Sequence, residues 1–258
     1  MSAQEIVRLM NEEEYVVMRA LQQAEEGIAE VIVKAAEAFQ HGGRVIYVGS
    51  GTSGRIARMD AAEMPPTFGV EPDRFIALLS GGDSALGQAQ ENAEDDEHAA
   101  IENLNEISLT PQDIVIGITA SGKTPFAVAA IRHAKRLGVW TVGIANNPNA
   151  PLLSEADLGI LLDTGPEVLT GSTRLKAGTA QKLVLNRIST GAMVLSGKVI
   201  ENLMVDVKAN NSKLKERCVR IVRELSPATA DEAREALNSS NWSVRGALEA
   251  LKAAAKAL

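Results

Sequence analysis

The stretch that decides the fold is Arg44-Val45-Ile46-Tyr47-Val48-Gly49-Ser50-Gly51-Thr52-Ser53-Gly54. It begins as a short apolar run and ends in a loop of glycines and hydroxyl residues. A continuous apolar run predicts a strand that is buried on both faces, as in parallel sheets covered by helices. Glycines let backbone N–H groups approach a ligand, and a helix that follows the loop adds its positive end. The stretch therefore predicts a strand, a binding loop and a helix.

The same unit recurs along the chain. Apolar runs at 75–79, 113–119, 139–145 and 158–162 each end in a polar loop, and helical stretches separate them. Five such strands predict an α/β fold, a doubly wound five-stranded parallel sheet of the flavodoxin-like type. Ligands of these sheets bind at the carboxyl ends of the strands, which is where the unusual loops fall.

Other segments flank the predicted sheet. Residues 1–40 have apolar positions at helical spacing and predict N-terminal helices. Residues 41–225 contain the strand, loop and helix units. Residues 226–258, which begin at the break around Pro227, predict a small helical bundle.

Composition excludes several classes of protein. The 258 residues are 45% apolar and have a net charge of −7, and so acidic a chain is poorly suited to bind nucleic acid. Its single cysteine excludes an internal disulfide, and its three scattered histidines form no metal-ligand pattern. No apolar run reaches about 18 residues, and the first residues do not form a signal peptide. We expect no membrane association and a cytoplasmic protein.

The loop after the third predicted strand matches the P-loop pattern of nucleotide-binding proteins, from Gly117 to Thr124. Two features argue against a nucleotide hydrolase. Gly117 falls inside the apolar run, and Pro125 places the helix start after Lys123, whereas a P-loop helix begins near the lysine. The alternative is a hydroxyl loop that holds a phosphate monoester.

Two glutamates lie in acidic segments. Glu63 precedes Pro65 and Pro66, which are expected to end its helix. Glu94 lies in the run 91–96, whose composition alone is typical of a solvated acidic helix face. Two carboxylates can nevertheless divide acid and base roles when their surroundings separate their pKa values.

The segment 165–179 joins the last predicted strand to a helix expected from Thr173. Ser172 or Thr173 is expected to cap that helix. Alternatively, the segment contacts a substrate or stabilises an oxyanion through its charged side chains, which are Glu167, Arg174 and Lys176.

Taken in order, these motifs resemble one family. They are Gly49-x-Gly-Thr-Ser-Gly-Arg55, Asp60-Ala-x-Glu63-x-Pro-Pro-Thr-Phe68, Ala93-Glu-Asp-Asp96, Ala120-Ser-Gly-x-Thr-Pro125, Gly165-Pro-Glu-Val, Thr170-Gly-Ser-Thr-Arg-Leu-Lys-Ala-Gly-Thr-Ala-Gln-Lys182 and Asn202-Leu-Met-Val-Asp206. The set is similar to the N-acetylmuramic acid 6-phosphate etherases, which have the sugar isomerase (SIS) fold. The resemblance implies a homodimer and a C-terminal bundle like a ubiquitin-associated domain.

The resemblance also implies a lyase that works without a metal or organic cofactor in peptidoglycan recycling. Such a lyase converts N-acetylmuramate 6-phosphate to N-acetylglucosamine 6-phosphate and D-lactate by elimination and hydration. Glu63 would donate a proton to lactate, and Glu94 would be the second acid or base. The implied substrate-binding residues are Gly51, Thr52, Ser53, Thr119, Ser121, Gly122, Thr124, Glu167, Ser172 and Lys176.

Three positions depart from the family's more usual residues. Ser50, Asn92 and Lys123 stand where alanine, glycine and arginine are more usual. Two other functions suit the same fold. One is a sugar-phosphate-binding regulator with idle carboxylates, and the other is a sugar-phosphate isomerase.

Overall fold

A computed structural model describes residues 1–88, 90, 92–209 and 211–256. The chain divides into two compact units, Met1–Ala62 with Asp73–Ala192 and Glu63–Pro72 with Met193–Leu258. The three-part division into residues 1–40, 41–225 and 226–258 stays a prediction.

The first unit contains a five-stranded parallel sheet. Its strands are β1 (Val45–Gly49), β2 (Phe75–Leu79), β3 (Ile114–Thr119), β4 (Trp140–Ala145) and β5 (Leu158–Leu161). They lie in the order β2-β1-β3-β4-β5, and every neighbouring pair is parallel. The predicted fold class is confirmed. The strand order reverses between β1 and β3, which makes the carboxyl ends of these two strands the expected ligand site.

Helices cover both faces of this sheet. They are α1 (Ala3–Gln23), α2 (Glu25–Gln40), α3 (Gly51–Phe68), α4 (Glu97–Glu106), α5 (Pro125–Arg136), α6 (Pro151–Glu155) and α7 (Lys176–Leu195). All residues of β1 and β3 are buried, and the fully buried large side chains include Tyr47, Phe126 and Ile131. Burial on both faces explains why these strands have no polar alternation.

Helix α3 ends later than the sequence predicts. It continues through Pro65 and Pro66 to Phe68, so the expectation that the prolines end it is wrong. The fixed φ of proline suits a helix, and only the last turn loses N–H donors. The helix then closes at Gly69, whose φ is +66° and whose N–H donates to the Pro65 carbonyl over 3.0 Å.

A buried carboxylate connects β1, α3 and α7 within the first unit. Asp60 accepts hydrogen bonds from Tyr47 Oη (3.0 Å), Asn186 Nδ2 (2.7 Å) and Ser189 Oγ (3.1 Å). Burial raises the pKa of Asp60, and these three donors offset part of that effect. With both oxygens bonded, Asp60 has the features of a structural anchor.

The amino ends of β1 and β3 are joined by an ion pair. Asp113 accepts from the Arg44 backbone N–H (2.8 Å) and from the Arg44 guanidinium at Nε (3.0 Å) and Nη2 (2.7 Å). The backbone N–H and hydroxyl of Thr110 also donate to Asp113. Burial opposes ionisation of Asp113, but these hydrogen bonds outweigh it and lower its pKa.

The second unit has its own core. A short antiparallel pair, β6 (Val199–Ile200) and β7 (Leu203–Met204), precedes α8 (Ser212–Glu224), α9 (Ala230–Ser239) and α10 (Val244–Lys256). The apolar faces of these helices pack together and bury the free thiol of Cys218. Asp206 forms ion pairs with Lys198 and Arg245. The helices predicted after Pro227 are present up to the end of the described residues.

The described residues contain neither a helix suited to cross a membrane nor a cluster of metal-ligating side chains. None of their helices has both the length and the apolar character needed to cross a membrane. In the same residues, no group of three or more His, Cys, Asp or Glu side chains is placed to hold a metal ion.

Candidate active site

A cavity of about 470 Å³ opens at the carboxyl ends of β1 and β3, where the strand order reverses. Its volume is in the range of small-molecule sites. Hydroxyl groups dominate the lining, and among the lining residues that the structure describes only Glu94 and Lys123 have ionisable side chains. The lining residues are Ser50, Gly51, Thr52, Ser53, Glu94, Thr119, Ala120, Ser121, Lys123, Thr124, Pro125 and Thr173.

The loop after β3 contributes a connected group of hydroxyls. Thr119 Oγ1 lies 2.7 Å from Thr124 Oγ1 and 3.3 Å from Ser121 Oγ, which also accepts from the Lys123 N–H. Thr124 is the N-cap residue of α5, but its side chain makes no capping hydrogen bond. The first N–H groups of α5 therefore have no side-chain cap, and three hydroxyl groups lie beside them. This arrangement is suited to binding a phosphate group.

The turn of this loop depends on glycine at residue 122. Gly122 has a φ of +67°, and a Cβ atom added there would lie 2.2 Å from the Ala150 Cβ atom. No other residue fits without moving the backbone. Gly122 itself does not line the cavity, so its part is to shape the loop that carries Ser121 and Thr124.

The loop after β1 faces the same space. Gly51, with a φ of +53°, begins α3, and Thr52 and Ser53 lie in the first helical turn. Ser53 and Ser50 are both buried at the wall of the cavity. Ser50 Oγ has no hydrogen-bond partner among the described residues.

Glu94 reaches the cavity from a short connecting segment. Ala93–Asp95 forms a 3₁₀ turn, and Asp96 caps α4 by accepting from the Ala99 N–H over 2.9 Å. Glu94 thus precedes the helix, and the reading of it as part of an acidic helix face is wrong. Its carboxylate is exposed and lines the cavity.

Other predicted site residues lie elsewhere. Glu63 is exposed on α3, in the second unit, and is not among the cavity-lining residues. Glu167 accepts from the N–H groups of Lys176 and Ala177, both at 3.0 Å, and so caps α7. The expected cap by Ser172 or Thr173 is wrong, because α7 begins at Lys176 and the longer Glu167 side chain reaches its first N–H groups.

Lys176 and Ser172 also lie outside the cavity lining, while the adjacent Thr173 is part of it. The Lys176 side chain is almost completely buried and forms an ion pair with Glu13 of α1. Burial of an ammonium group requires such a partner. Lys176 therefore fixes the start of α7 against α1 in this structure.

The loop geometry does not fit a P-loop. Gly117 lies inside β3 with both faces buried, and α5 begins at Pro125, two residues after Lys123. A P-loop needs its first glycine at the turn and its lysine at the helix start. The predicted places of Gly117 within the strand and of Pro125 at the helix start, on which the argument against a nucleotide hydrolase rests, are confirmed.

Comparison with known proteins identifies the family. Models of the "Glucokinase regulatory protein N-terminal SIS domain" and of the "SIS domain" match residues 27–135 and 96–188. N-acetylmuramic acid 6-phosphate etherases of Geobacillus thermodenitrificans and Pectobacterium atrosepticum are 49% and 50% identical to the chain. Each alignment covers 96% of this chain, with 84% and 82% of those proteins. The chain belongs to the N-acetylmuramic acid 6-phosphate etherase family.

Solved structures confirm the fold of this family member. A phosphoheptose isomerase from Neisseria gonorrhoeae matches with a TM-score of 0.53 and 21% identity, over 76% of this chain and all of that one. The Vibrio vulnificus NanR protein, solved with ManNAc-6P, matches with a TM-score of 0.52 and 15% identity, over 87% and 71% of the two chains. At this identity the likeness establishes the fold alone.

Three polar residues in the cavity lining of this etherase family member were not among the predicted site residues: Ser50, Lys123 and Thr173. Ser50 and Thr173 adjoin residues that the motifs did select, so their positions after a strand and before a helix were available signals. Lys123 was noted in the P-loop pattern and as a departure from the family's more usual arginine, and neither observation predicted a ligand contact. Which hydroxyls of a polar loop face a cavity depends on backbone turns that the sequence pattern does not specify.

Proposed function

We propose that this chain cleaves the D-lactyl ether of N-acetylmuramate 6-phosphate, giving N-acetylglucosamine 6-phosphate and D-lactate. The observation that carries the proposal is the cavity between β1 and β3, where the Glu94 carboxylate shares one space with three connected hydroxyls. Family membership supplies the substrate class. A sugar phosphate needs a phosphate cradle, and ether cleavage needs a proton donor and acceptor, so the lining matches both requirements.

The phosphate would occupy the loop after β3. The hydrogen bonds among Thr119, Ser121 and Thr124 already fix these side chains. Binding of the anion therefore costs little additional side-chain entropy. The N-terminal end of α5 favours negative charge at the same position. The ammonium group of Lys123 at the cavity wall further compensates a phosphate dianion.

The reaction proceeds by elimination followed by hydration. A base removes the C2 proton of the open-chain sugar, a C2–C3 double bond forms, and the C3–O bond to lactate breaks. An acid gives its proton to the departing lactate oxygen. Water then adds across the double bond, with its oxygen at C3 and a proton at C2. Each proton transfer by a placed side chain contributes about 10²–10⁴-fold in rate.

We assign these proton transfers to Glu63 and Glu94. Glu94 is supported by its place in the cavity lining. Glu63 is supported by its position in the family motif Asp60-Ala-x-Glu63, and its role as the donor to lactate remains a prediction. Together the two carboxyl groups would supply the acid and the base that these steps require. No step is assigned to a histidine.

In this proposal the segment that leads into α7 positions residues of the cavity wall. Glu167 uses both carboxylate oxygens to cap α7, and Lys176 is paired with Glu13. These contacts hold the chain that carries Ser172 and Thr173, and Thr173 lines the cavity. Direct substrate contacts by Glu167, Ser172 and Lys176 remain predictions that would require these side chains to change partners.

The test is to incubate the purified chain with N-acetylmuramate 6-phosphate and to measure free D-lactate. The proposal expects lactate and N-acetylglucosamine 6-phosphate in equal amounts. Binding of the substrate without lactate would favour the regulator, and conversion of an aldose phosphate to a ketose phosphate would favour the isomerase. Either result would overturn the etherase assignment.

We also propose that the chain forms a homodimer. Support comes from α1, whose first turns expose several apolar side chains, among them Ile6 (45%), Val7 (58%) and Leu9 (39%). A group of exposed apolar residues on one helix is typical of an association surface. Sedimentation analysis that finds only monomer at micromolar concentration would contradict the proposal.

A further inference from the structure

Ser50 differs from the other hydroxyl residues of the cavity. The residue is 8% exposed and lines the cavity, whereas its Oγ atom is closed to solvent and has no hydrogen-bond partner within the described part of the chain. By contrast, the hydroxyls of Thr119, Ser121 and Thr124 are bonded to one another. Buried polar atoms in folded proteins are nearly always paired, so an unpaired one calls for an explanation.

The position of Ser50 supplies that explanation. Ser50 directly follows β1, and the register Gly49 to Ile118 places it beside Thr119 at the end of β3. Neighbouring strands lie about 4.8 Å apart. A ligand oxygen held by the β3 loop, or one close to it, is therefore within reach of both strand ends.

We propose that the Ser50 hydroxyl binds an oxygen atom of the sugar phosphate and so helps to determine the ligand specificity of the cavity. The inference rests on the proposed function, since it takes a sugar phosphate as the ligand. The hydroxyl has no partner among the described residues, and in this proposal it turns about χ1 toward the cavity and gains a partner when the ligand binds. Ser50 thus trades stability of the free protein for affinity.

This role makes an unusual pair of predictions for S50A. The variant should bind N-acetylglucosamine 6-phosphate about five- to twentyfold more weakly, because one hydrogen bond to the ligand is lost. Its melting temperature without ligand should stay the same or rise, because a buried unpaired hydroxyl is removed. A serine with a structural role would show the reverse pattern.

Ser189 provides the matched control. It is also buried, at 2% exposure, but its Oγ donates to Asp60 and it does not line the cavity. S189A should lower the melting temperature and leave ligand affinity unchanged. Both variants remove one hydroxyl from the same unit, so their difference isolates the effect of the cavity.

Isothermal titration with two probes completes the experiment. If inorganic phosphate also binds S50A more weakly, the partner is a phosphate oxygen; if only N-acetylglucosamine 6-phosphate does, the partner is a sugar oxygen. Unchanged affinity of S50A for both probes overturns the proposal, as does a loss of affinity accompanied by a fall in melting temperature like that of S189A. Wild-type protein that binds neither probe overturns the proposed function itself, and the role of Ser50 with it.

Discussion

The two ends of β1 and β3 differ in how their polar groups are used. At the amino ends, Asp113 accepts five hydrogen bonds from Arg44 and Thr110, and its side chain is 1% exposed. At the carboxyl ends, hydroxyls line a cavity and Ser50 Oγ is unpaired among the described residues. The same two strands therefore have a stabilising end and, in our proposal, a binding end.

This contrast follows from what each end has to do. A fully paired ionic group strengthens the fold but cannot exchange its partners for a ligand at little cost. A binding end must keep donors available, and the protein loses some stability as a result. Substitutions at the two ends should therefore separate activity from stability.

The largest expected effect is on catalysis. E94Q at the binding end, and E63Q on the helix that starts there, should each lower lactate release by about 10²–10⁴-fold, because glutamine transfers no proton. Binding of N-acetylglucosamine 6-phosphate and the melting temperature should change little. D95N, next to Glu94 but outside the cavity lining, is the control and should keep full turnover. Wild-type turnover in E94Q or E63Q would contradict that residue's assigned role.

At the stabilising end, D113N should lower the free energy of unfolding by about 2–4 kcal/mol at pH 7, because it leaves the Arg44 guanidinium without its carboxylate partner. The Michaelis constant for the substrate should not change. Chemical denaturation followed by circular dichroism measures the first effect, and D95N serves again as the control. A stable D113N with an altered Michaelis constant would break the contrast between the two ends.

The D113N effect should also depend on pH. The pKa of Asp113 is lower in the folded protein than its ordinary value of 3.8, so folding favours the ionised form. The stabilisation is complete above that value and is lost as the pH falls through the folded-state pKa. The difference in unfolding free energy between wild type and D113N should therefore shrink below about pH 4. A difference that stayed constant down to pH 2 would rule out the ionised carboxylate as its source.

A smaller effect is expected for S121A. Removing one hydroxyl of the phosphate cradle should weaken binding of N-acetylglucosamine 6-phosphate by about 1–2 kcal/mol, the usual contribution of a hydrogen bond to a charged group. S154A, which removes an exposed hydroxyl from α6, is the matched control. Titration calorimetry gives both affinities. Equal affinities in the two variants would place the phosphate away from the β3 loop.

The smallest effect is expected for K123M. The exposed ammonium should contribute about 0.5–1 kcal/mol to phosphate binding at low salt and almost nothing at 1 M salt, because water and ions screen it. K34M on α2 changes the same charge at a distance and is the control. A salt-independent loss as large as that of S121A would show that Lys123 contacts the phosphate directly.

The sequence predicted the sheet well because its strands are continuous apolar runs, and β1 and β3 are buried on both faces. Runs such as Phe75 to Leu79 have no polar alternation, and their bounds match the structure. The loops after β1 and β3 were placed correctly for the same reason, since they are defined by the ends of those runs. The family motifs then identified Glu94 as a candidate site residue, whereas the composition of the run 91–96 alone indicated only an acidic surface.

The remaining features depend on distances across the fold. Glu167 caps a helix nine residues later, and Asp113 binds Arg44 across 69 residues, so no local pattern reveals either contact. The end of α3 was misplaced because proline rules describe the helix interior, whereas Pro65 and Pro66 fall in its last turn. Ser50 was placed in the predicted binding loop but not among the predicted contact residues, because only the folded structure shows that its hydroxyl is buried and has no partner among the described residues.

The buried place of Gly117 in β3 has a consequence for reading other genomes. A stretch of eight residues can match the P-loop pattern although its first glycine, here Gly117, lies inside a buried strand. Any related chain with apolar residues on both sides of that first glycine, and a proline directly after the signature, should be set aside when ATPases are collected by string matching.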